Sequence, residues 1–174
     1  MWARIQNNYK KTQFFGKYKD WIENWLINES TTNSLSEFNT MFILKTCKLL
    51  GIDTIFKYSS KYPSTKHKSE HVLELIRANN CNEYLSAKGS FTYMYSEGIF
   101  PIKEVKVSFL DYKLNEYIQY QSKDVFVPSL SILDALCNIG PEETYELIKK
   151  GTRWNTWDEM VSLQDRIYTK NNIS

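Results

Sequence analysis

Apolar residues recur every three to four positions over the first fifty residues, which predicts helices. One apolar stripe consists of Tyr18, Trp21, Ile22, Trp25 and Leu26. A second helical pattern follows, for which Ser34 or Ser36 is a suitable N-cap. Gly51 stands where a helix C-terminus favours a left-handed residue. Residues 1–51 are therefore predicted to form an all-helical N-terminal segment.

The spacing of apolar residues changes after Gly51. Three short stretches, 52–60, 81–87 and 104–112, carry the apolar and β-branched residues that are typical of strands. Helical patterns follow the first two stretches, at 69–80 and 88–98. Alternation of strand and helix in this order predicts parallel strands that are joined by crossover helices.

The last third of the chain predicts more helices. A polar, tyrosine-rich loop leads to a strongly apolar helix that we expect to begin at Pro128 and to break at Gly140 and Pro141. A further helix should end at Gly151, and the final helix is expected over 154–168.

The predicted fold class is therefore α/β, with a small, mostly parallel sheet and crossover helices behind the helical N-terminal segment. We expect a single domain over 1–174, with the α/β core at 52–151 and a C-terminal helix and tail at 152–174. Three strands are few for an independent parallel sheet. The sheet is therefore expected to be completed by residues or a protein outside this chain.

Composition excludes several classes of function. The net charge is +2, which gives no general case for a nucleic-acid partner, and no apolar run is long enough for a membrane span. Cys47, Cys81 and Cys137 lie far apart, without the spacing of a disulfide framework or a thiolate zinc site. His67 and His71 are four residues apart but have no obvious third ligand. We expect a cytoplasmic protein with no metal and no cofactor.

The basic loop before the helix at 69–80 is the first candidate site. Ligands of parallel α/β sheets bind beyond the carboxyl ends of the strands, and this loop leaves one such end. Ser59, Ser60, Lys68 and Ser69 there would suit a phosphate at a helix N-terminus. The alternative is a solvated basic loop in which Ser69 is an ordinary N-cap.

Two further groups follow the other predicted strands. Ser86, Gly89 and Tyr93 come after the second strand, where the glycine allows the backbone to turn towards a ligand. Tyr112, Tyr117 and Gln119 come after the third, where they can hydrogen-bond and stack on a sugar. A plain turn and a tyrosine-rich loop are the respective alternatives.

Asp134 lies within an otherwise apolar helix, and a buried acid requires hydrogen-bond partners. Ser131 and Asn138 are three residues before it and four after it, on the same helix face. One interpretation is a polar lock that ties the helix to the strand ends. The other is a general base or a ligand acceptor.

Several stretches together resemble the WbqC-like protein family. "FVPSLSILDALCNIGPE" at 126–142 is the most specific, and "VSFLDYKLNEYIQ", "KHKSEHVLELIRANNCNEYLSAKGSFTYM" and "NNYKKTQFF" are similar to other family segments. The resemblance implies a role in O-antigen or other surface-polysaccharide assembly, or in nucleotide-sugar modification. It also implies transfer of an amino-acid or acyl group to an amino sugar.

The departures from the family pattern define a second hypothesis. The resemblance runs from Trp2 to Gly151 and covers about the C-terminal two-thirds of the pattern. Leu114 stands where the family has His, and Ala87 where it has Gly. The alternative function is therefore a truncated, non-catalytic remnant or a partner subunit, which binds a protein that completes its sheet or a second copy of itself.

Overall fold

Helices dominate the computed structural model, which describes residues 1–27, 34–120 and 125–171. The α-helices of this part of the chain are α1 (Trp2–Tyr9), α2 (Phe15–Ile27), α3 (Leu35–Leu49), α4 (Lys68–Ala78), α5 (Phe91–Glu97), α6 (Ile132–Gly151) and α7 (Trp157–Asn171). The strands are β1 (Glu83–Ala87), β2 (Lys106–Leu110) and β3 (Trp154–Thr156).

The three strands form one mixed sheet in the order β1-β2-β3. β1 and β2 are parallel, with Glu83 opposite Lys106 and Ala87 opposite Leu110. β3 is antiparallel to β2, with Leu110 opposite Trp154. The predicted small α/β fold behind N-terminal helices is confirmed, and its sheet has one parallel and one antiparallel pair.

Two strand predictions were wrong. The stretch 52–60 forms no strand: it is irregular and ends in a 3₁₀ turn at Ser59–Lys61. Its Ile55 is 86% exposed, so the apolar pattern there reflects no burial. β3, in contrast, lies in a stretch that was assigned to the last helix.

A capping box explains where β3 gives way to α7. The Thr156 amide donates to Glu159 Oε2 at 2.7 Å, and the Glu159 amide donates to Thr156 Oγ1 at 3.3 Å. This reciprocal pair satisfies amide groups that the first helical turn leaves without partners. The helix therefore begins at Trp157, and the three residues before it can pair with β2.

Contacts within the chain divide it into two compact units. Unit 1 combines 1–55 with 114–151, and unit 2 combines 56–113 with 152–174. The helix that lies between β2 and β3 in sequence, α6, thus groups with the N-terminal helices. The expectation of one domain over 1–174 stays a prediction.

The core of unit 1 is aromatic. α2 contributes buried Phe15, Tyr18 and Ile22, and α6 contributes buried Leu133 and Cys137. The indole of α2 residue Trp25 stacks on Phe38 of α3, with ring centroids 4.7 Å apart, and its N–H donates to the Phe38 carbonyl at 3.2 Å. The apolar stripe predicted from Tyr18 to Leu26 lies in α2 and therefore faces α3 and α6.

The core of unit 2 lies between the sheet and its helices. The sheet contributes buried Val107 and Phe109, α5 contributes Phe91 and Met94, and α7 contributes Trp157 and Met160. Phe91 packs edge-on against both Phe109 and Trp157 at 5.3 Å. The helices of unit 2 therefore form one hydrophobic cluster with the buried face of β2.

Helix boundaries agree with the sequence at two ends and differ at two others. Ser34 caps α3 by accepting from the Glu37 amide, and Gly51 adopts φ 68° after it, as predicted. α4 begins at Lys68, so Ser69 is inside the helix and is not its N-cap. α6 begins at Ile132 and not at Pro128. Ser131 precedes it and accepts from the Leu133 amide at 3.3 Å.

The predicted break at Gly140 and Pro141 is present, and it leaves a backbone carbonyl of α6 free to bond another segment. Gly140 adopts φ 79° and ψ 173°, which interrupts α6. Pro141 has no N–H to donate to the carbonyl four residues earlier, that of Cys137. The Phe14 amide donates to that carbonyl at 3.0 Å instead. The break thus creates the point where the chain between α1 and α2 attaches to α6.

Gly140→Ala should destabilise the protein strongly. Its backbone conformation is almost restricted to glycine, and an added Cβ would lie 2.8 Å from the Phe14 ring. Strain and overpacking together predict a loss on the order of 2–5 kcal/mol in the free energy of unfolding, measured by urea denaturation. Gly16→Ala is the control, because a Cβ there meets no atom within 4 Å and α2 should gain up to about 1 kcal/mol. Equal midpoints for the two variants would contradict the role of Gly140.

Candidate functional site

A cavity of about 320 Å³ in unit 1 contains Asp134. It is lined by Asn8, Tyr9, Thr12, Gln119, Val127, Leu130, Asp134 and Asn138. Asn8, Val127 and Leu130 are exposed, whereas Thr12 and Asp134 are buried. Asp134 is therefore a buried lining residue of a cavity whose volume is at the low end of the range for small-molecule sites.

The Asp134 side chain is 5% exposed and is held by uncharged donors. The Tyr117 hydroxyl donates to its Oδ2 at 2.7 Å, and Gln119 Nε2 donates to the same oxygen at 3.0 Å. Both donors belong to the segment that follows β2 in sequence. Asp134 is therefore buried and paired with that segment, and its role as a polar lock stays a prediction.

The side-chain amides of Gln119 and Asn138 form hydrogen bonds with backbone groups around the cavity. Gln119 Oε1 accepts from the Val127 amide at 2.8 Å, and its Nε2 donates to the Val127 carbonyl at 3.0 Å. Asn138 accepts from the Tyr120 amide at 2.8 Å and donates to the Asp134 carbonyl at 2.8 Å. These bonds fix the orientation of both amides and hold two irregular segments against α6.

The neighbours of Asp134 are kept uncharged. Burial, with the Asp134 charge and hydrogen bond, raises the pKa of Tyr9 far above its usual value, so its hydroxyl remains a donor to the carboxylate. Burial and the same charge raise the pKa of Cys137 to about 12. Cys137 is therefore a neutral thiol of the core, without the thiolate character of a nucleophile.

Other predicted residues lie elsewhere in the units. Ser131 caps α6 through its hydroxyl and accepts from the Asp134 amide at 2.8 Å through its carbonyl. It therefore supports the start of the helix that carries Asp134, while the cavity is lined by Asn138 and Gln119.

The basic loop of unit 2 is already engaged with acids. The Ser69 amide donates to Glu97 Oε2 at 3.1 Å, and the Lys68 ammonium lies 3.3 Å from Glu97 Oε1. Hydrogen bonding from Ser69, with the neighbouring Lys68, lowers the pKa of Glu97. Ser59 and Ser60 are exposed in their 3₁₀ turn. A phosphate at the start of α4 would have to displace the Glu97 carboxylate.

The ends of β1 and β2 carry a network of hydroxyl groups. Ser86 Oγ lies 2.6 Å from Ser90 Oγ and donates to the Tyr84 hydroxyl at 3.2 Å. Burial and the neighbouring Tyr84 raise the pKa of Tyr93. Gly89 lies in the 3₁₀ turn Lys88–Ser90.

An ion pair and an exposed tyrosine complete that end of the sheet. Lys88 Nζ lies 2.6 Å from Asp111 Oδ1, and this hydrogen bond lowers the pKa of the Asp111 carboxyl. Tyr112 is 41% exposed. These groups lie where parallel sheets bind ligands, but Lys88 and Asp111 neutralise each other.

Comparison with known proteins identifies the family. The sequence profile of the WbqC-like protein family matches residues 1–146. The chain belongs to the WbqC-like protein family. It is 31% identical over 142 residues to the uncharacterized protein Rv1507c of Mycobacterium tuberculosis. The alignment covers 81% of this chain and 60% of that relative. No solved structure matches the chain.

Three stretches that resemble the WbqC-like pattern meet at the Asp134 cavity. "NNYKK" supplies Asn8 and Tyr9, the segment after β2 supplies Gln119, and α6 supplies Asp134 and Asn138. Asn8, Tyr9 and Thr12 were missed as candidate residues. Their signal was the resembling stretch itself, because the helical pattern of α1 alone does not indicate a cavity.

Among the described residues, no group of three or more His, Cys, Asp or Glu side chains could hold a metal ion. No described helix is long and apolar enough to cross a membrane.

Asp134→Ala should destabilise the WbqC-like chain by about 1–3 kcal/mol, because Tyr117 and Gln119 would lose their acceptor. Asp134→Asn should cost less, since it keeps the shape and one acceptor. Urea denaturation of both variants measures the effect, with Asp20→Ala, an exposed residue of α2, as the control expected to stay within about 0.5 kcal/mol of wild type. Wild-type midpoints for both Asp134 variants would refute the lock.

Cys137 should resist thiol reagents in the folded protein. Its side chain is fully buried, and a thiol with a pKa of about 12 has a thiolate fraction of only about 10⁻⁴ at pH 8. Cys81 is exposed and should react first with Ellman's reagent. Mass spectrometry of the labelled peptides separates the two, and Cys81→Ser should remove the fast phase. Rapid native labelling of Cys137 would contradict its assignment to the core.

Proposed function

We propose that this WbqC-like protein modifies an amino sugar of a surface polysaccharide, such as an O-antigen, or of its nucleotide-sugar precursor. The observation that carries this proposal is the convergence of three family-like stretches on the Asp134 cavity. Its volume of about 320 Å³ suits one sugar ring. Asn8, Thr12 and Asp134 also line the cavity and are polar groups of the kind that orient a sugar.

The proposed reaction is transfer of an amino-acid or other acyl group to the sugar amine. The amine nitrogen forms a bond to the acyl carbon of an activated donor, and the bond from that carbon to the leaving group breaks. An amine that enters protonated gives its extra proton to solvent before it attacks. Asp134 then accepts the proton that the nitrogen loses as the new bond forms and passes it to the leaving group. Tyr9 and Tyr117 remain neutral donors that hold the carboxylate in place.

We also propose that the protein acts in the cytoplasm. The three cysteines are free in the structure, which supports a reducing, cytoplasmic compartment where nucleotide-linked sugars are available.

Titration calorimetry against nucleotide-linked 4-amino sugars tests the binding proposal, with an expected dissociation constant of about 1 mM or lower. Asn8→Ala should weaken binding about 3- to 10-fold, because Asn8 lines the cavity and one neutral hydrogen bond is worth about 1 kcal/mol. Asn7→Ala is the matched control, since Asn7 is also exposed on α1 and does not line the cavity. Absence of binding to folded protein at several millimolar ligand would reject the sugar ligand.

The position of β1 at the edge of the sheet favours a second function, which is binding of a protein partner that completes the sheet. Among the described strands, β1 pairs with β2 alone, and its Leu85 is 56% exposed. Such an edge exposes backbone groups that another strand can pair with. Hydrogen exchange tests whether the edge is open. Rapid exchange is expected for those β1 amides that do not face β2, and strong protection in the isolated chain would argue against an open edge.

A further inference from the structure

The Asp134 cavity has an unusual balance of charge. Among the residues that the structure describes, its lining contains one carboxylate and no Lys, Arg or His side chain. The partners that hold the carboxylate, Tyr117, Gln119 and Tyr9, are all neutral donors. A carboxylate that is buried without a cation loses hydration that neutral hydrogen bonds only partly replace. Asp134 Oδ2 thus has hydrogen-bond donors, but no described lining residue supplies a positive charge to balance the carboxylate.

The same balance determines which ligand the cavity favours. A positive group that enters it gains Coulomb attraction in a medium of lower dielectric constant than water, whereas a phosphate is repelled. The Asp134 charge already acts on its neighbours, since it helps to raise the pKa values of Tyr9 and Cys137 and so prevents further negative charge there. Asn8, Thr12 and Asn138 add uncharged polar groups around the carboxylate.

We propose that the Asp134 cavity is a binding site for a protonated primary amine and that it excludes phosphate. The amine of an amino sugar and the amine of an amino acid share this chemistry. The proposal deepens the function above, with which it shares the cavity and the amine of the ligand. It places any nucleotide diphosphate of the ligand outside the cavity.

Paired probes that differ only in the amine provide the test. Methyl glucosaminide and methyl N-acetylglucosaminide are compared on the full chain by calorimetry or NMR, together with glycinamide, N-acetylglycinamide and inorganic phosphate. At neutral pH we expect at least one free amine to bind about tenfold more tightly than its acetylated partner. The sugar pair and the glycine pair distinguish the two sources of the amine. Phosphate should leave the NMR signals of Gln119 and Asn138 unchanged.

Two variants connect the preference to the carboxylate. Asp134→Asn should abolish the ratio between free and acetylated amine, while Asp20→Asn, on exposed α2, should keep it. Leu130→Lys places a cation at the exposed side of the cavity and should also lower the ratio, which covers the case in which Asp134→Asn does not fold. The ratio within one variant is independent of modest changes in stability.

Each outcome decides between the two proposals. A wild-type ratio near one, an unchanged ratio in the variants, or no binding of any amine probe at 10 mM would overturn the amine site. If both sugars bind equally and glycinamide binds no better than N-acetylglycinamide, sugar binding survives and the amine site fails. If glycinamide binds with the expected preference and neither sugar binds, the amine site stands and the amino-sugar function fails.

Discussion

The hydrogen bond between the Phe14 amide and the Cys137 carbonyl is the contact on which unit 1 depends. It exists because Pro141 supplies no N–H to that carbonyl and Gly140 turns the chain away from helical geometry. The segment between α1 and α2 takes the vacated position, and Phe14 packs against Gly140. An uninterrupted α6 would satisfy its own carbonyl and offer no backbone acceptor to the N-terminal region.

This attachment brings α1 to the buried acid. Tyr9 and Thr12 lie a few residues before Phe14, and both line the cavity that contains Asp134. The irregular segment after β2 also lines the cavity. Its backbone groups bond to amide side chains where a strand would bond to a neighbouring strand. Gln119 bonds both backbone groups of Val127, and Asn138 bonds the Tyr120 amide. The cavity is therefore built from a helix break and from amide side chains, and no described strand contributes to its lining.

Local signals in the sequence were sufficient for much of the fold. Ser34, Gly51 and the Gly140-Pro141 pair act through their own conformational preferences, so their effects were predictable without tertiary information. The stretch 52–60 failed because apolar residues favour a strand only where a neighbouring strand covers them, and Ile55 is exposed. β3 was missed because three residues give no periodic signal, and its existence depends on pairing with β2, which is distant in sequence.

The candidate site was predictable to a similar extent. Asp134 could be found because an acid in an apolar helix requires partners, and Tyr117 and Gln119 followed a predicted strand. Asn8 and Tyr9 could not be placed at the same cavity, because the bond that brings them there depends on a carbonyl far along the chain. In unit 2, by contrast, the sequence predicted an anion site at Lys68 and Ser69. In the structure the Glu97 carboxylate already binds the Ser69 amide and the Lys68 ammonium.

The chemistry of Asp134 separates its structural role from a functional one. Tyr117 and Gln119 need an acceptor, and the oxygen of an asparagine would provide one without burying a charge. The negative charge is thus the property that the packing does not use, and it is costly in a cavity lined by neutral groups. A carboxylate that is fixed by neutral donors and open to a cavity keeps its charge available to a ligand. The arrangement is more economically explained by a cationic or proton-donating ligand than by stability alone.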